Sequence, residues 1–141
     1  APRAVAVYTP IAAEHMTAPE VRRLRETAER IERLIEQGPR AIVGGHSDVD
    51  FHRQIAIGSR NPWIERVLCE DLYSLMRLYR LHAARRPGST AAVTAKEHHA
   101  IIDRIHARDA DGAERVMREH VRHSRERLLA LIADDRTSGG R

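Results

Sequence analysis

Apolar residues recur at helical spacing along most of the chain. The clearest stripe takes every third or fourth position: Val21, Leu24, Ala28, Ile31 and Leu34. Just before it, Thr17 and Glu20 form the T-x-x-E capping box with which helices begin, and Gly38 after it is a typical helix end. The pattern therefore predicts an amphipathic helix from Thr17 to Gly38.

Five further helices are predicted from the same spacing and from residues that begin or end helices. Pro10 interrupts the first of them, which makes it the weakest candidate. Asn61 followed by Pro62 is typical of an N-cap and a first helical position, and Asp109 is a good cap for the last helix. The six predicted helices cover residues 3–15, 17–38, 39–58, 61–86, 90–108 and 109–134.

Neither a strand-like alternation nor an internal repeat competes with this helical pattern. The sequence therefore predicts an all-α fold, an antiparallel helical bundle of about six helices. We assign residues 1–135 to a single domain. We expect a disordered tail over residues 136–141, where the sequence reads RTSGGR.

The composition is typical of a small domain with an aliphatic core. Of 141 residues, 42% are hydrophobic but only 4% are aromatic, so the core must consist mainly of Leu, Ile, Val and Ala. The chain has no apolar run long enough to span a membrane and no signal-peptide pattern at its start. The single cysteine, Cys69, excludes an internal disulfide and fits the reducing cytoplasm.

The charge pattern favours a solvated helix surface over a nucleic-acid-binding surface. The formal net charge is +4, and Lys96 is the only lysine. The arginines are scattered among nearly as many acidic residues, often at the spacing of ion pairs on one helix face. The sequence shows no basic arm and no aromatic stacking platform, so we expect no direct nucleic-acid contact from these residues.

The helical faces separate the nine histidines into two groups. On the fifth predicted helix, His98 shares its stripe with Thr94, Ile101, Ile102 and Ile105. On the sixth, His120 lies in line with Ala113, Met117, Ser124, Leu128 and Leu131. Both side chains are therefore predicted to point into the bundle.

In the third predicted helix, Asp48 and His52 stand one turn apart on the stripe of Ile55. A carboxylate and three imidazoles from three helices would then face the interior. Burying Asp48 without a partner would be costly, whereas one divalent cation would satisfy all four groups. Imidazole with carboxylate suits zinc, nickel, iron or manganese better than calcium or magnesium. From spacing alone, a metal site competes evenly with core residues that are hydrogen-bonded separately.

Other histidines fall on polar faces. His99, Asp103 and His106 share one side of the fifth helix, which we interpret as a polar outer face rather than a second metal site. His123 falls on a polar face of the sixth helix and is expected to point towards water.

Several motifs stand in a specific order along the chain. They are Asp48-x-x-Phe51-His52, then Asn61, then Glu97-His98-x-x-Ile101, then Asp109-Ala110 leading to Met117-x-x-His120. In this order and spacing, the chain resembles the ligand-sensing FCD domain of FadR-type GntR transcription regulators from about Ala12 to Leu131. In metal-binding members the residues at these positions hold the ion, which implies the ligands Asp48, His52, His98 and His120.

The resemblance also implies function. It implies one divalent transition metal per chain, with zinc or nickel favoured and manganese or iron as further candidates. It implies a small effector, commonly a carboxylate, that changes the DNA affinity of a homodimeric regulator. Family members bind DNA through an N-terminal winged-helix domain, which we expect to be missing from this chain. The first helix also lacks the Arg and Glu that are usual in the family.

The fourth predicted helix supplies the candidates for effector binding. Tyr79 and His82 lie nearer its inner face and are the better geometric candidates. Arg77 and Arg80 point away from the apolar stripe, so we expect them on the surface or in a dimer contact.

Two alternatives to a sensing domain stay open at this point. A metalloenzyme is one, but the sequence has no H-E-x-x-H or E-x-x-H pair. Glu97 and Glu119 stand beside predicted ligands, about 100° away from their direction, and are poor general bases. We therefore expect no enzymatic activity. The other alternative is a structural domain that a closed, four-coordinate metal holds together.

Overall fold

The computed structural model describes residues 2–37, 47–68 and 91–139, and in these ranges the chain forms six helices and no strand. The helices are α1 (Pro2–His15), α2 (Ala18–Gln37), α3 (Ser47–Gly58), α4 (Pro62–Arg66), α5 (Ala91–His106) and α6 (Ala110–Ser138). The predicted all-α fold is confirmed. No helix in the described ranges combines the length and the apolar character that a membrane span requires.

Side-chain caps begin three helices at the predicted residues. Before α2, the Thr17 N–H donates to the Glu20 carboxylate at 2.8 Å, and the Glu20 N–H donates to the Thr17 hydroxyl at 3.4 Å. The Asn61 side chain accepts from two backbone N–H groups of α4. Asp109 accepts from the Gly112 N–H at 2.9 Å in the first turn of α6. Because these contacts involve only neighbours in the chain, the sequence alone predicts them.

Two arginines in the turns that follow α3 and α5 have left-handed backbone conformations. Arg60 and Arg108 both have a φ of 58°, which residues other than Gly rarely adopt. Arg60 makes hydrogen bonds of 2.9 and 2.8 Å to Glu20. Arg108 donates to the Ala13 carbonyl at 3.0 Å. Both turns are therefore tied to the junction between α1 and α2, and these contacts offset the backbone strain.

The apolar faces of the helices meet in one core. Helix α1 packs on α3, α5 and α6, helix α2 packs on α3 and α5, and α5 packs on α6. The predicted α2 stripe is buried at Val21, Leu24, Ala28 and Ile31. The largest fully buried apolar side chains are Tyr8, Phe51, Met16, Leu24, Ile55, Ile101, Ile102, Ile105 and Met117. The predicted aliphatic core is confirmed, with Tyr8 and Phe51 as its aromatic members in the described ranges.

Helix α1 departs from the prediction because Pro10 lies inside it without ending it. Proline removes one backbone hydrogen bond from a helix. Around it, Tyr8, Ala12 and Ala13 are fully buried. Their packing against the core holds the helix together, which the local pattern could not show.

Helix α6 also departs, since it continues to Ser138 instead of ending near Asp134. The tail that we expected to be disordered, residues 136–141, therefore begins inside the helix. The reason is that no glycine or proline lies between Asp134 and Gly139 to end the helix earlier. In addition, the hydroxyls of Thr137 and Ser138 both donate to the Asp134 carbonyl, at 2.8 and 3.0 Å.

The remaining boundaries agree with the prediction where the structure describes them. Helix α3 ends at Gly58, as expected. After α4 the helical backbone continues through Val67 and Leu68 with wider, π-type turns. The rest of the helix predicted to reach Arg86 lies outside the described residues, and so does Cys69.

Candidate metal centre

Three histidines from three helices meet inside the bundle: His52 of α3, His98 of α5 and His120 of α6. One ring nitrogen of each lies within 4.8 Å of the others. His98 and His120 are 1% and 4% exposed, and His52 is half-buried. Among the described residues, no other group of three or more His, Cys, Asp or Glu side chains has a spacing suited to a metal ion. We call these three residues the histidine cluster.

The three rings of the histidine cluster border one common space. The His52 and His120 rings are nearly parallel, with an interplanar angle of 17° and centroids 5.4 Å apart. Their Nε2 atoms lie 3.4 Å apart. The His98 ring is turned against both, at 65° and 4.9 Å from His120 and at 82° and 5.9 Å from His52.

Phe51 supports His98 from α3. The two rings are stacked, with centroids 4.0 Å apart and an interplanar angle of 19°. Burial is the main cause that lowers the pKa of His98 well below its usual value, and the nearby His120 acts in the same direction. His98 is therefore a neutral imidazole at neutral pH, which is the form that binds metal ions.

Glu97 holds the outer nitrogen of His120. Its carboxylate accepts from His120 Nδ1 and from His123 Nδ1, each at 2.7 Å. Arg127 donates to both carboxylate oxygens, at 3.1 and 3.4 Å. Burial by itself would raise the pKa of Glu97, but the hydrogen bonds from His120, Arg127 and His123 together lower it to about 2. Glu97 is therefore an ionised carboxylate close to the histidine cluster.

The structure corrects the sequence-based interpretation of His123 and gives Glu97 contacts that the sequence did not predict. From the sequence we placed Glu97 beside His98, about 100° away from its direction on α5, and the structure shows that its carboxylate reaches across to α6. We expected His123 to point towards water, yet it is half-buried and bound to Glu97. One pattern in the sequence could have revealed this contact. His123 and Arg127 stand three and seven positions after His120, so all three side chains share one face of α6. Three hydrogen-bond donors on one face indicate an acidic residue on the helix packed against it.

Tyr8 of α1 contacts the outer nitrogen of His52. Its hydroxyl lies 3.2 Å from His52 Nδ1, and the side chain is fully buried. Sequence patterns did not indicate this contact, because α1 was the weakest predicted helix and its packing on α3 is a tertiary contact. His52 and His120 thus both use Nδ1 for an outer partner and turn Nε2 towards each other.

The donor set fits a divalent transition metal. Two nitrogens that each lie about 2.1 Å from one ion are separated by roughly 3.0 to 3.4 Å, depending on the angle between them. The observed Nε2 separation of His52 and His120 is 3.4 Å. Metal-binding histidines usually have a hydrogen-bond partner at the other ring nitrogen, as His120 has in Glu97 and His52 in Tyr8, because that partner fixes the orientation of the ring.

The other predicted site residues are described only in part. Asp48 lies in α3, one turn before His52, and its side chain is outside the part of the chain that the structure describes. Tyr79, His82, Arg77 and Arg80 lie outside the described residues altogether. Their functions stay predictions.

The second histidine group of α5 faces α2. His99 Nε2 lies 2.7 Å from the Glu32 carboxylate, and Arg25 donates to Asp103 at 3.2 Å. His106 is exposed. His99 and Asp103 therefore make separate polar contacts between α2 and α5. These residues and His106 do not form a second metal site.

Comparisons with known proteins agree with the motifs. A family model described as the FCD domain matches residues 8–123. The "Uncharacterized HTH-type transcriptional regulator YcbG" of Bacillus subtilis (strain 168) is 29% identical over 119 residues, which cover 84% of this chain and 47% of that protein. The chain thus spans about half the length of this relative.

The fold is shared with a solved structure as well. The structure of E. coli McbR/YncC matches with a TM-score of 0.76 at 16% sequence identity, over 94% of this chain and 64% of that chain. At this identity the similarity is one of fold. The family follows from the match of the FCD model to residues 8–123, most of the chain: the chain belongs to the FCD domain family of GntR-type transcription regulators.

Proposed function

We propose that this domain senses a small carboxylate effector through a bound divalent transition metal, zinc or nickel being favoured. The ligands are His52, His98 and His120, with Asp48 as the fourth. The observation that supports this proposal best is the convergence of three imidazoles within 4.8 Å of one another, two of them buried. When bound, the ion supplies a Lewis-acidic centre that attracts an anionic ligand.

The surroundings of the cluster support metal binding over three separate core histidines. Glu97 and Tyr8 hold the Nδ1 atoms of His120 and His52. Both Nε2 atoms are thereby directed inwards, as a shared ion requires. Asp48 is one helical turn from His52 on α3, a spacing at which two side chains can reach the same ion.

The regulatory part of the proposal rests on the family. The relative from Bacillus subtilis is described as an HTH-type transcriptional regulator, of which this chain covers 47%. We propose that effector binding at the histidine cluster changes the DNA affinity of a homodimeric regulator through a separate DNA-binding domain. An effector shifts such a protein only if it binds one of two states more tightly.

Metal titration tests the first part of the proposal. Purified protein is stripped with a chelator and titrated with zinc and nickel against a chromophoric competitor. We expect one ion per chain, and at least a hundredfold weaker binding in His98→Ala and His120→Ala. His106→Ala, an exposed histidine on the same helix as His98, is the matched control and should bind as the wild type does. Equal affinity in all four proteins would refute the metal site.

Thermal unfolding with a panel of small carboxylates tests the second part. An effector that binds through the ion should raise the melting temperature of the metal-loaded protein and leave the stripped protein unchanged. Stabilisation of both forms to the same extent would place the effector elsewhere. No stabilisation by any carboxylate, together with a full set of protein ligands around the ion, would indicate a closed structural site instead.

A further inference from the structure

We propose that Arg127 determines which ligands the metal centre accepts, because its positive charge favours anionic ligands over neutral ones at the bound ion. This role deepens the proposed function and rests on it. Arg127 lies on α6 beside the histidine cluster, where its guanidinium donates to the Glu97 carboxylate and to the Ser124 hydroxyl. It is a specificity-determining residue that acts through its charge.

One carboxylate group connects Arg127 with the histidine cluster. The Oε2 atom of Glu97 lies 3.1 Å from the Arg127 guanidinium and 2.7 Å from His120 Nδ1. The Oε1 atom lies 3.4 Å from the guanidinium and 2.7 Å from His123 Nδ1. The guanidinium is thus held by both oxygens, and a single oxygen atom separates it from the ring of a proposed ligand.

Burial makes this charge effective at the cluster. The side chains of Arg127 and Glu97 are 16% and 14% exposed, and that of His120 is 5% exposed. Charges interact more strongly where little water screens them. An arginine keeps its positive charge at every ordinary pH, so the field of Arg127 at the cluster is permanent.

The charges around the ion explain why the guanidinium matters for an anion. A divalent ion brings two positive charges, and histidines bind a metal ion as neutral imidazoles. The carboxylates of Glu97 and of the proposed ligand Asp48 bring one negative charge each, which together balance the ion. Arg127 adds one positive charge to this balanced set, so an anionic ligand is attracted more strongly than a neutral one.

Arg118 provides a matched control on the same helix. Its side chain is 48% exposed and pairs with Glu114 at 2.6 Å. It stands two positions before His120 and therefore points about 200° away from it. Arg118→Gln and Arg127→Gln change the net charge of the domain by the same amount, but only Arg127→Gln removes a charge beside the histidine cluster.

Nickel-loaded protein provides the measurement, because the visible absorption bands of the ion change when a small ligand joins it. Acetate is the anionic probe and imidazole the neutral one, both titrated at one fixed pH and ionic strength. We expect Arg127→Gln to bind acetate about tenfold more weakly than the wild type and imidazole equally well. Arg118→Gln should match the wild type with both probes. Arg127→Lys, which keeps the charge, should retain most of the acetate affinity.

A second variant has an expected effect of opposite sign, which damage to the fold does not produce. Glu97→Gln removes the negative charge beside the histidine cluster. In nickel-loaded protein it should therefore tighten acetate binding by about tenfold and leave imidazole binding unchanged. Unchanged or weaker acetate binding in Glu97→Gln would contradict the role of charge at this site.

Three further results would overturn the role of Arg127 while the proposed function stands. They are equal acetate binding in Arg127→Gln and the wild type, an equal weakening of both probes, which indicates disturbed packing, and an equal loss of acetate affinity in Arg118→Gln, which indicates a general effect of net charge. The proposed function itself fails if the wild type binds no nickel or if acetate leaves its bands unchanged, and the role of Arg127 then fails with it.

Discussion

His98 and His99 are neighbours on α5, yet they belong to two different regions of the molecule. His98 is buried, stacks on Phe51 and faces the histidine cluster. His99 turns about 100° away and pairs with Glu32 of α2. It belongs to a set that we call the α2 ion pairs, namely Glu32–His99, Arg25–Asp103 and Glu20–Arg60.

The two regions show how burial changes the contribution of the same types of side chain to stability. The α2 ion pairs are partly open to water, where such pairs contribute little to stability. Glu97, beside the histidine cluster, and His120, within it, are largely withdrawn from water, and the hydrogen bond between them is correspondingly stronger and costlier to break. The same residue types thus join helices in one region and meet at the candidate metal centre in the other.

The largest expected difference between the two regions is the response to metal. At zinc concentrations about a thousand times the dissociation constant, the ion should stabilise the wild type by about 4 kcal/mol. His99→Ala should show the same gain, and His98→Ala should show almost none. The measurement is chemical denaturation with zinc and with a chelator. A similar gain in both variants would mean that the histidine cluster is not where the ion binds.

Truncation of the two neighbours in metal-free protein should give the next largest difference. His98→Ala leaves a cavity against Phe51 and should lower the free energy of unfolding by about 2 to 3 kcal/mol. His99→Ala removes a half-exposed pair and should cost less than about 1 kcal/mol. Urea denaturation of both variants gives the comparison, and equal losses would contradict the described burial of His98.

A smaller difference is expected for the two glutamates. Glu97→Gln removes the charge of a largely buried carboxylate that accepts from three residues, and we expect a loss of about 2 kcal/mol in metal-free protein. Glu32→Gln should cost less than about 0.5 kcal/mol, because its contact with His99 is open to solvent. The same denaturation series measures both, with far-ultraviolet circular dichroism to check that each variant is folded.

The smallest expected effect is a pH dependence within the α2 ion pairs. Burial acts to raise the pKa of Glu20, but hydrogen bonds from the Thr17 backbone and from Arg60 outweigh it and lower this pKa. A lowered pKa means that the stabilisation is present above the unfolded-state pKa and is lost as the pH falls through the folded-state value. The wild type should therefore lose up to about 1 kcal/mol more than Glu20→Gln on acidification from pH 6. Parallel losses in both proteins would show that Glu20 contributes nothing.

The features that the sequence predicted correctly are those that depend on short spacings. The caps at Thr17, Asn61 and Asp109 involve residues two or three positions apart. The inward faces of His98 and His120 follow from helical periodicity. The FCD motifs contain these histidines and His52 in a specific order and spacing. The structure brings His52, His98 and His120 together, as the resemblance to FCD domains implies.

The features that the sequence did not predict all involve contacts between distant segments. Tyr8 and His52 are 44 positions apart, and Glu97 and His120 are 23 apart. Pro10 is accommodated within α1 because the side chains around it are buried against other helices. Neither Glu97 nor Tyr8 stands on the predicted stripe of a ligand, so periodicity could not assign them to the site.

By itself, the sequence determined which residues form helices and which face of each helix turns inwards, because both depend on the local backbone and on a period of 3.6 residues. Only the tertiary structure decided which outer groups hold the histidines, since the rotation and offset of packed helices bring a carboxylate from α5 and a hydroxyl from α1 to particular ring nitrogens. That second set of contacts orients the imidazoles of His52 and His120 and turns their Nε2 atoms towards each other, which is the arrangement that the proposed ion requires.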